Sequence, residues 1–180
     1  MRVTSTALPD VKIIELDRHA DARGHFIETY SKRVFAAAGI AAEFVQDNSS
    51  RSVRNVLRGL HYQVRQPQAK LVRVISGEVL DIAVDLRRHS PTFGRWVAVT
   101  VCADEPRVLW IPEGYAHGFV TRSASAELVY KTSAYYAPMH ERTIAWNDPD
   151  LAIDWQLSGA PLLSPKDSRG GTFRDAELFD

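Results

Sequence analysis

The chain has 180 residues, and its 22 Lys and Arg are balanced by 22 Asp and Glu. That length suits one domain able to bury about 70% of its unfolded surface, and the zero net charge argues against nucleic acid as a main partner, because no basic excess exists to neutralise phosphates. Its only cysteine, Cys102, rules out an internal disulfide or a cysteine-rich metal knuckle. The N-terminus lacks the apolar run of a secretory leader, and nothing approaches the ~18 apolar residues of a membrane span. A soluble cytoplasmic protein with no membrane partner is expected.

In chain order, residues 11–16 are apolar and β-branched, and a D-A-R-G turn at 21–24 leads into a strand over 25–30. Ser31 stands where it could cap a short helix through Ala38, with Gly39 where a helix would end. From residue 43 the pattern is almost all strand. A strand over 71–75 passes through Ser76-Gly77 into another over 79–86. There Leu80, Ile82, Val84 and Leu86 alternate with Val79, Asp81, Ala83 and Asp85, a period of two with one apolar face. The intervening Ser-Gly reads as a hairpin. Further strands fall at 96–102, 108–111, 118–121 and 128–134. Short strands at this spacing point to an antiparallel sandwich or barrel, not a parallel α/β sheet. The turn-rich tail beyond Trp155 is expected to run as loops over the body of the domain. No linker or repeat interrupts residues 1–180, so one all-β domain with a few short helices is expected.

Two of the six histidines keep unusual company. His61 lies in R-G-L-H-Y-Q, after the polar stretch 46–52 and before Lys70, and His117 lies in P-E-G-Y-A-H-G-F. Either could be a hydrogen-bonded core residue or a site residue. Arg58 and Lys70 flank His61, and a diphosphate would need two or three such cations. Arg58 precedes His61 by three residues, so a bulge or strand end is needed to bring them to one face. Of Tyr130, Tyr135 and Tyr136, at least one is expected to serve packing alone, while a buried tyrosine opposite a histidine would be a proton donor. Asp167, in an S-P-K-D turn, could satisfy local backbone or orient an imidazole if the tail folds back.

The segment from Pro112 to His117 resembles the P-x-G-x-x-H motif of cupin jelly rolls. Metal-binding cupins also use an H-x-H motif, but here His61 is followed by Gln63, so one imidazole of the ligand set is missing. No metal is expected.

Taken together, R-G-L-H-Y-Q, Q-x-K-L-V-R-V-I-S-G-E-V-x-D-I-A-V-D-L-R, P-E-G-Y-A-H-G-F and V-Y-K-T-x-x-Y-Y-A-P-x-H-E-R resemble the dTDP-4-dehydrorhamnose 3,5-epimerase family from about residue 11 to 167. The resemblance implies a cupin-type jelly roll, a homodimer, no cofactor, and a dTDP-4-keto-6-deoxyhexose substrate. It implies His61 as catalytic base with Asp167 as its carboxylate partner, Tyr130 as proton donor and Lys70 as stabiliser of the enolate. Arg23, Glu28, Gln46, Asn48, Arg58, His117, Glu141 and Lys166 fall at substrate-binding positions, Tyr136 near the nucleotide, and the segment carrying Glu28 reaches across the dimer. The alternatives are a relative inverting only C3 or C5, a ketoisomerase on the same fold, a non-catalytic sugar-binding cupin and a metal-dependent oxygenase.

Overall fold

The computed structural model describes residues 1–180. In chain order the elements are β1 (Arg2–Ser5), β2 (Lys12–Glu15), β3 (Arg18–Asp21), β4 (Gly24–Ile27), α1 (Lys32–Ala37), β5 (Gln46–Val53), β6 (Leu57–Gln63), β7 (Lys70–Ser76), β8 (Glu78–Asp85), β9 (Trp96–Cys102), β10 (Arg107–Ile111), β11 (Tyr115–Thr121), β12 (Ser125–Thr132) and β13 (Glu141–Thr143). Two antiparallel sheets face each other, ordered β1-β2-β10-β7-β12-β5 and β13-β6-β11-β8-β9, while β3 and β4 form a separate hairpin. This is a cupin-like jelly roll, as the strand spacing and the resemblance led one to expect.

The Ser76-Gly77 turn corrects one expectation. It joins β7 to β8, but these strands belong to different sheets and do not pair. Both edges of β7 are taken by β10 and β12, and both edges of β8 by β11 and β9. The turn is therefore a corner between layers. Gly77 holds φ +74, and a Cβ there would lie 2.1 Å from the Ser125 carbonyl oxygen. Turn chemistry is local, whereas sheet membership is decided by strands far away in sequence.

The alternation along β8 is real, but it does not divide a core face from a wet one. Both of its faces are buried. Leu80, Ile82 and Val84 pack beneath the C-terminal segment with Leu151 and Trp155, whereas Val79 and Ala83 face the interior between the sheets with Val72, Leu109 and Leu128. Asp81 therefore points inward, not to water. The tail beyond Trp155 does fold over the domain as loops, and it closes this second apolar layer through Leu163, Phe173 and Phe179.

On the outer face of the six-stranded sheet, α1 covers Ile14, Leu71 and Val108 with Phe35. The helix ends at Gly39 as its sequence indicates. With φ +83 at Gly39, the Gly39 N–H bonds the Ala36 carbonyl at 3.0 Å and the Ile40 N–H bonds the Phe35 carbonyl at 2.9 Å. Phe35 and Ile40 then meet in one apolar cluster, completing a Schellman stop. Ser31 occupies the cap position without making a side-chain cap bond. The polar stretch 46–53 is itself a strand, paired with β12 along its whole length.

Candidate functional site

A cavity of about 340 Å³ opens between the two sheets. The six-stranded sheet contributes Gln46 and Asn48 of β5, Lys70 of β7 and Tyr130 of β12; the facing sheet contributes Arg58 and His61 of β6 and His117 of β11. Tyr136, Glu141 and Lys166 also line it. Arg58 and His61 share the cavity because β6 is bulged. Opposite β11, His61 pairs with His117 but Arg58 pairs with Phe119, three residues against two. Gly59 sits in the bulge at φ +124, where a Cβ would meet Gly118 Cα at 2.5 Å.

Behind His61, the tail returns to supply a carboxylate. Asp167 is buried at the start of a 3₁₀ turn over Asp167–Arg169, and its Oδ1 lies 2.5 Å from His61 Nε2. Ser164 Oγ donates to Asp167 Oδ2 at 2.7 Å, and the Gly59 N–H donates to Oδ1 at 3.3 Å. Burial pushes this carboxyl up, but the His61, Ser164 and Gly59 donors outweigh it and bring it down to about 2. An ionised carboxylate only accepts, so it fixes the proton on Nε2 and leaves His61 Nδ1 as the basic atom. Burial, aided by Lys166 and Lys70, lowers the imidazole's pKa against the pull of Asp167, which keeps the free ring neutral at pH 7.

Because the native Asp167 pKa lies below its ordinary 3.8, its contribution to stability is present above pH ~4 and is lost as the pH falls through about 2. Asp167→Asn should therefore abolish about 2 kcal/mol of acid-dependent stability across that window, read from urea unfolding at pH 2 to 5.

On the opposing sheet, Lys70 is buried and its Nζ has no hydrogen bond or ion pair within the chain. Burial lowers it to about 8, with Asp81 and Glu141 partly opposing that fall. The Tyr130 hydroxyl is likewise unpartnered. Burial raises its pKa, Arg58 pulls it back and Glu141 adds to the rise, so the phenol keeps its proton at pH 7. Near the rim, Tyr136 O–H and Lys166 Nζ donate to the two Glu141 oxygens at 2.9 and 2.8 Å, and these donors outweigh burial to lower the Glu141 pKa. Gln46 accepts the Tyr136 N–H at 3.0 Å and donates to Asn48 at 2.8 Å.

Two expected site residues do not reach this cavity. Arg23 and Glu28 lie on or just beyond the β3–β4 hairpin; Arg23 is 90% exposed and paired with Asp21. Within one chain the fold holds that hairpin away from the space between the sheets. Tyr135 is 65% exposed and outside the cavity lining, so it serves neither the site nor the packing role expected of at least one of the three tyrosines. Gln63, which stands where a cupin would place a second histidine, accepts the Ala137 N–H at 2.8 Å and donates to the Gln66 carbonyl at 2.8 Å, pinning the loop that carries Tyr136. No group of three or more His, Cys, Asp or Glu side chains converges to hold a metal ion.

Sequence reasoning missed Asp81, which holds His117, and Ser164, which holds Asp167. The S-x-x-D spacing of Ser164 and Asp167 was the available signal for the second pair. Nothing local marked the first.

The fold and the cavity define a cupin-like protein equipped for acid–base chemistry, with a carboxylate-held imidazole on one sheet facing a protonated phenol and a buried ammonium on the other. Residues 5–175 match the family model for dTDP-4-dehydrorhamnose 3,5-epimerase. The curated enzyme of that name from Pseudomonas aeruginosa is 57% identical over 180 residues, covering 99% of each chain. The Shigella flexneri enzyme of the same name is 51% identical, also covering 99% of each. The crystal structure of the dTDP-6-deoxy-D-glucose-3,5-epimerase of Legionella pneumophila, in complex with dTDP-4-keto-L-rhamnose, superposes with a TM-score of 0.94 at 47% identity over 98% of this chain and 94% of that one. The chain belongs to the dTDP-4-dehydrorhamnose 3,5-epimerase family.

Proposed function

We propose that this chain is a cofactor-independent 3,5-epimerase that converts dTDP-4-dehydro-6-deoxy-D-glucose into dTDP-4-dehydro-L-rhamnose. The observation that carries the reading is the placement of base and acid on opposite walls of one cavity, His61 on β6 and Tyr130 on β12. A sugar ring between the sheets presents one face to each.

Carbons 3 and 5 flank the C4 ketone, which acidifies their protons. His61 Nδ1 takes the proton, and the C–H electron pair moves into the ring to leave negative charge on O4. The Lys70 ammonium stabilises that charge more than it stabilises the neutral ketone, which lowers the barrier and not merely the binding energy. Tyr130 then returns a proton to the same carbon from the other face, and both groups re-equilibrate with solvent. Arg58, Gln46, Asn48, His117, Tyr136, Glu141 and Lys166 hold the nucleotide sugar. Arg58 is the cation suited to bidentate contact with the diphosphate.

Tyr130→Phe should reduce inversion by about 10²–10⁴-fold while leaving proton–deuterium exchange at the carbons far less affected. Equal losses of both would remove Tyr130 from the donor role.

The reading extends to a homodimer. Every residue of β3 and all of β4 except Ile27 are exposed, Phe26 to 68%, and a lone hairpin with no core of its own is marginal in water. A second copy seated on this hairpin would bury it and would bring Arg23 and Glu28 to a substrate. Sedimentation equilibrium reads the mass, and a monomer at micromolar concentration would end the dimer proposal.

The test of the reaction is proton NMR of the keto sugar nucleotide incubated with the protein in deuterated buffer. Loss of both the H3 and H5 signals supports the 3,5-epimerase; loss of one alone makes the chain a monofunctional relative with the same base; loss of neither overturns the reading.

A further inference from the structure

The hydrogen bonding of the five-stranded sheet does not stop at its edge strand β13. The tail lies along that edge, parallel to it, with Gly171 opposite Ile144. The Gly171 N–H donates to the Thr143 carbonyl at 3.0 Å, and the Ala145 N–H donates to the Gly171 carbonyl at 2.7 Å. On its other side β13 pairs with β6. Thr143 stands opposite His61, and Leu60 and Ile144 exchange both backbone bonds, at 3.2 and 3.0 Å. Thr143 therefore meets the strand of the base on one side and the tail that carries its carboxylate on the other. His61 and Asp167 are joined twice, once directly and once through the backbone of β13.

The seam between tail and strand leaves no room for a side chain. A Cβ on Gly170 would lie 2.7 Å from the Ala145 nitrogen and 2.8 Å from both Ala145 Cα and the Ile144 carbonyl carbon. That is well inside the ~3.5–4.0 Å at which heavy atoms pack. All three are backbone atoms in the hydrogen-bonded ladder, so none swings aside as a side chain would. Gly170 itself holds φ −53, which any residue adopts, so space and not backbone strain demands the glycine. A displacement at Gly170 runs upstream. Downstream, the buried Asp148 carboxylate holds the Phe173 N–H at 2.8 Å and also accepts the Asp150 and Leu151 N–H groups. Upstream lies the turn Asp167–Arg169, which would take the carboxylate with it.

We propose that Gly170 is a positioning residue, whose bare backbone lets the tail seat on β13 and so sets where Asp167 meets His61. This assignment rests on the reading of His61 as the base. Ser164 holds Asp167 within the tail itself, whereas the seam holds the tail to the sheet.

The test uses the full chain labelled with ¹⁵N-histidine and compares Gly170→Ala with Gly171→Ala. A Cβ on Gly171 would meet nothing nearer than the Thr143 carbonyl oxygen at 4.0 Å, so that variant is the control. Of the six histidines, His61 is the one whose ring signals are missing from His61→Ala. In the unchanged protein and in Gly171→Ala, the ring should carry its proton on Nε2 alone. In Gly170→Ala its two nitrogens should average between tautomers, and kcat should fall by about 10–100-fold. Added to Asp167→Ala, the Gly170→Ala change should cost kcat nothing further, because no carboxylate remains to be placed. A folded Gly170→Ala protein with an unmoved His61 ring overturns the proposal, even if it is less stable, and so does full additivity of the two losses in kcat. Should Gly170→Ala fail to fold, the unchanged protein decides. In urea below the unfolding transition, protection of the Gly171 amide and the His61 Nε2–H signal should be lost together. A ring signal that outlasts the protection overturns the proposal. These spectra need no substrate, so their failure is distinct from failure of the epimerase reading, which shows as an absence of exchange at C3 and C5 in the unchanged protein.

Discussion

His61→Ala is expected to lower kcat for both carbons together, by about 10²–10⁴-fold, the usual contribution of a positioned general base. The loss is shared because the proposed mechanism has one base for two centres: the Asp167 carboxylate commits Nε2, and only Nδ1 of the same ring remains to receive either proton. The fold should survive. Asp167 keeps the Ser164 hydroxyl and Gly59 N–H as donors, so the variant loses one hydrogen bond to a buried charge, about 1–3 kcal/mol, and not the tail's attachment. Deuterium exchange at C3 and C5 beside a circular-dichroism melt reads both halves of this expectation. Exchange retained at either carbon in folded protein would mean that a second base serves it.

Lys70→Met should move activity and stability in opposite directions. Removing the cation that meets the O4 charge should cost about 10²–10³-fold in kcat, the magnitude of a lost oxyanion donor. Stability at pH 7 should rise. Lys70 is lowered from 10.5 to about 8 in the fold, so the buried ammonium opposes folding by about 3 kcal/mol wherever both states are protonated. The sign follows from proton counting. Between about pH 8 and 10.5 the unfolded chain holds the Lys70 proton and the native chain does not, so stability of the unchanged protein climbs with pH across that window. Below it the penalty is complete, and above it the penalty is gone. Lys70→Met should lack the climb and start from the higher level. Urea midpoints at pH 7 and pH 10 measure it; equal midpoints for the two proteins at pH 7 would mean that burial imposes no net penalty on the Lys70 ammonium.

The sequence carried much of this site because its parts lie on consecutive strands. His61, Arg58 and Lys70 could be read as neighbours from their spacing along two β runs, and the three-residue gap between Arg58 and His61 called for the bulge that β6 contains. Asp167 was legible as a turn residue that could orient an imidazole if the tail folded back, and the resemblance named His61 as that imidazole, since its approach depends on how a loosely patterned tail returns over the sheet. Asp81 was hidden for a related reason. Alternation along β8 says that two faces differ, but not that both are buried, one between the sheets and the other under residues 144–179. The Ser76-Gly77 corner was misread on the same ground, because pairing partners are set by strands that the turn does not touch. Arg23 and Glu28 were placed by resemblance alone, and within one chain they stay outside the cavity.

The tail that closes over Leu80, Ile82 and Val84 also delivers Lys166 and Asp167, which ties the age of the polypeptide to its competence. During synthesis every strand of both sheets, and His61 itself, has been made before the segment that supplies its carboxylate has left the ribosome. The parts of the site that fix the His61 tautomer are thus the last to be made, together with the cover of Leu80, Ile82 and Val84. A cut between β13 and Ser164 should therefore cost the base its orientation and the sheet its cover in one step.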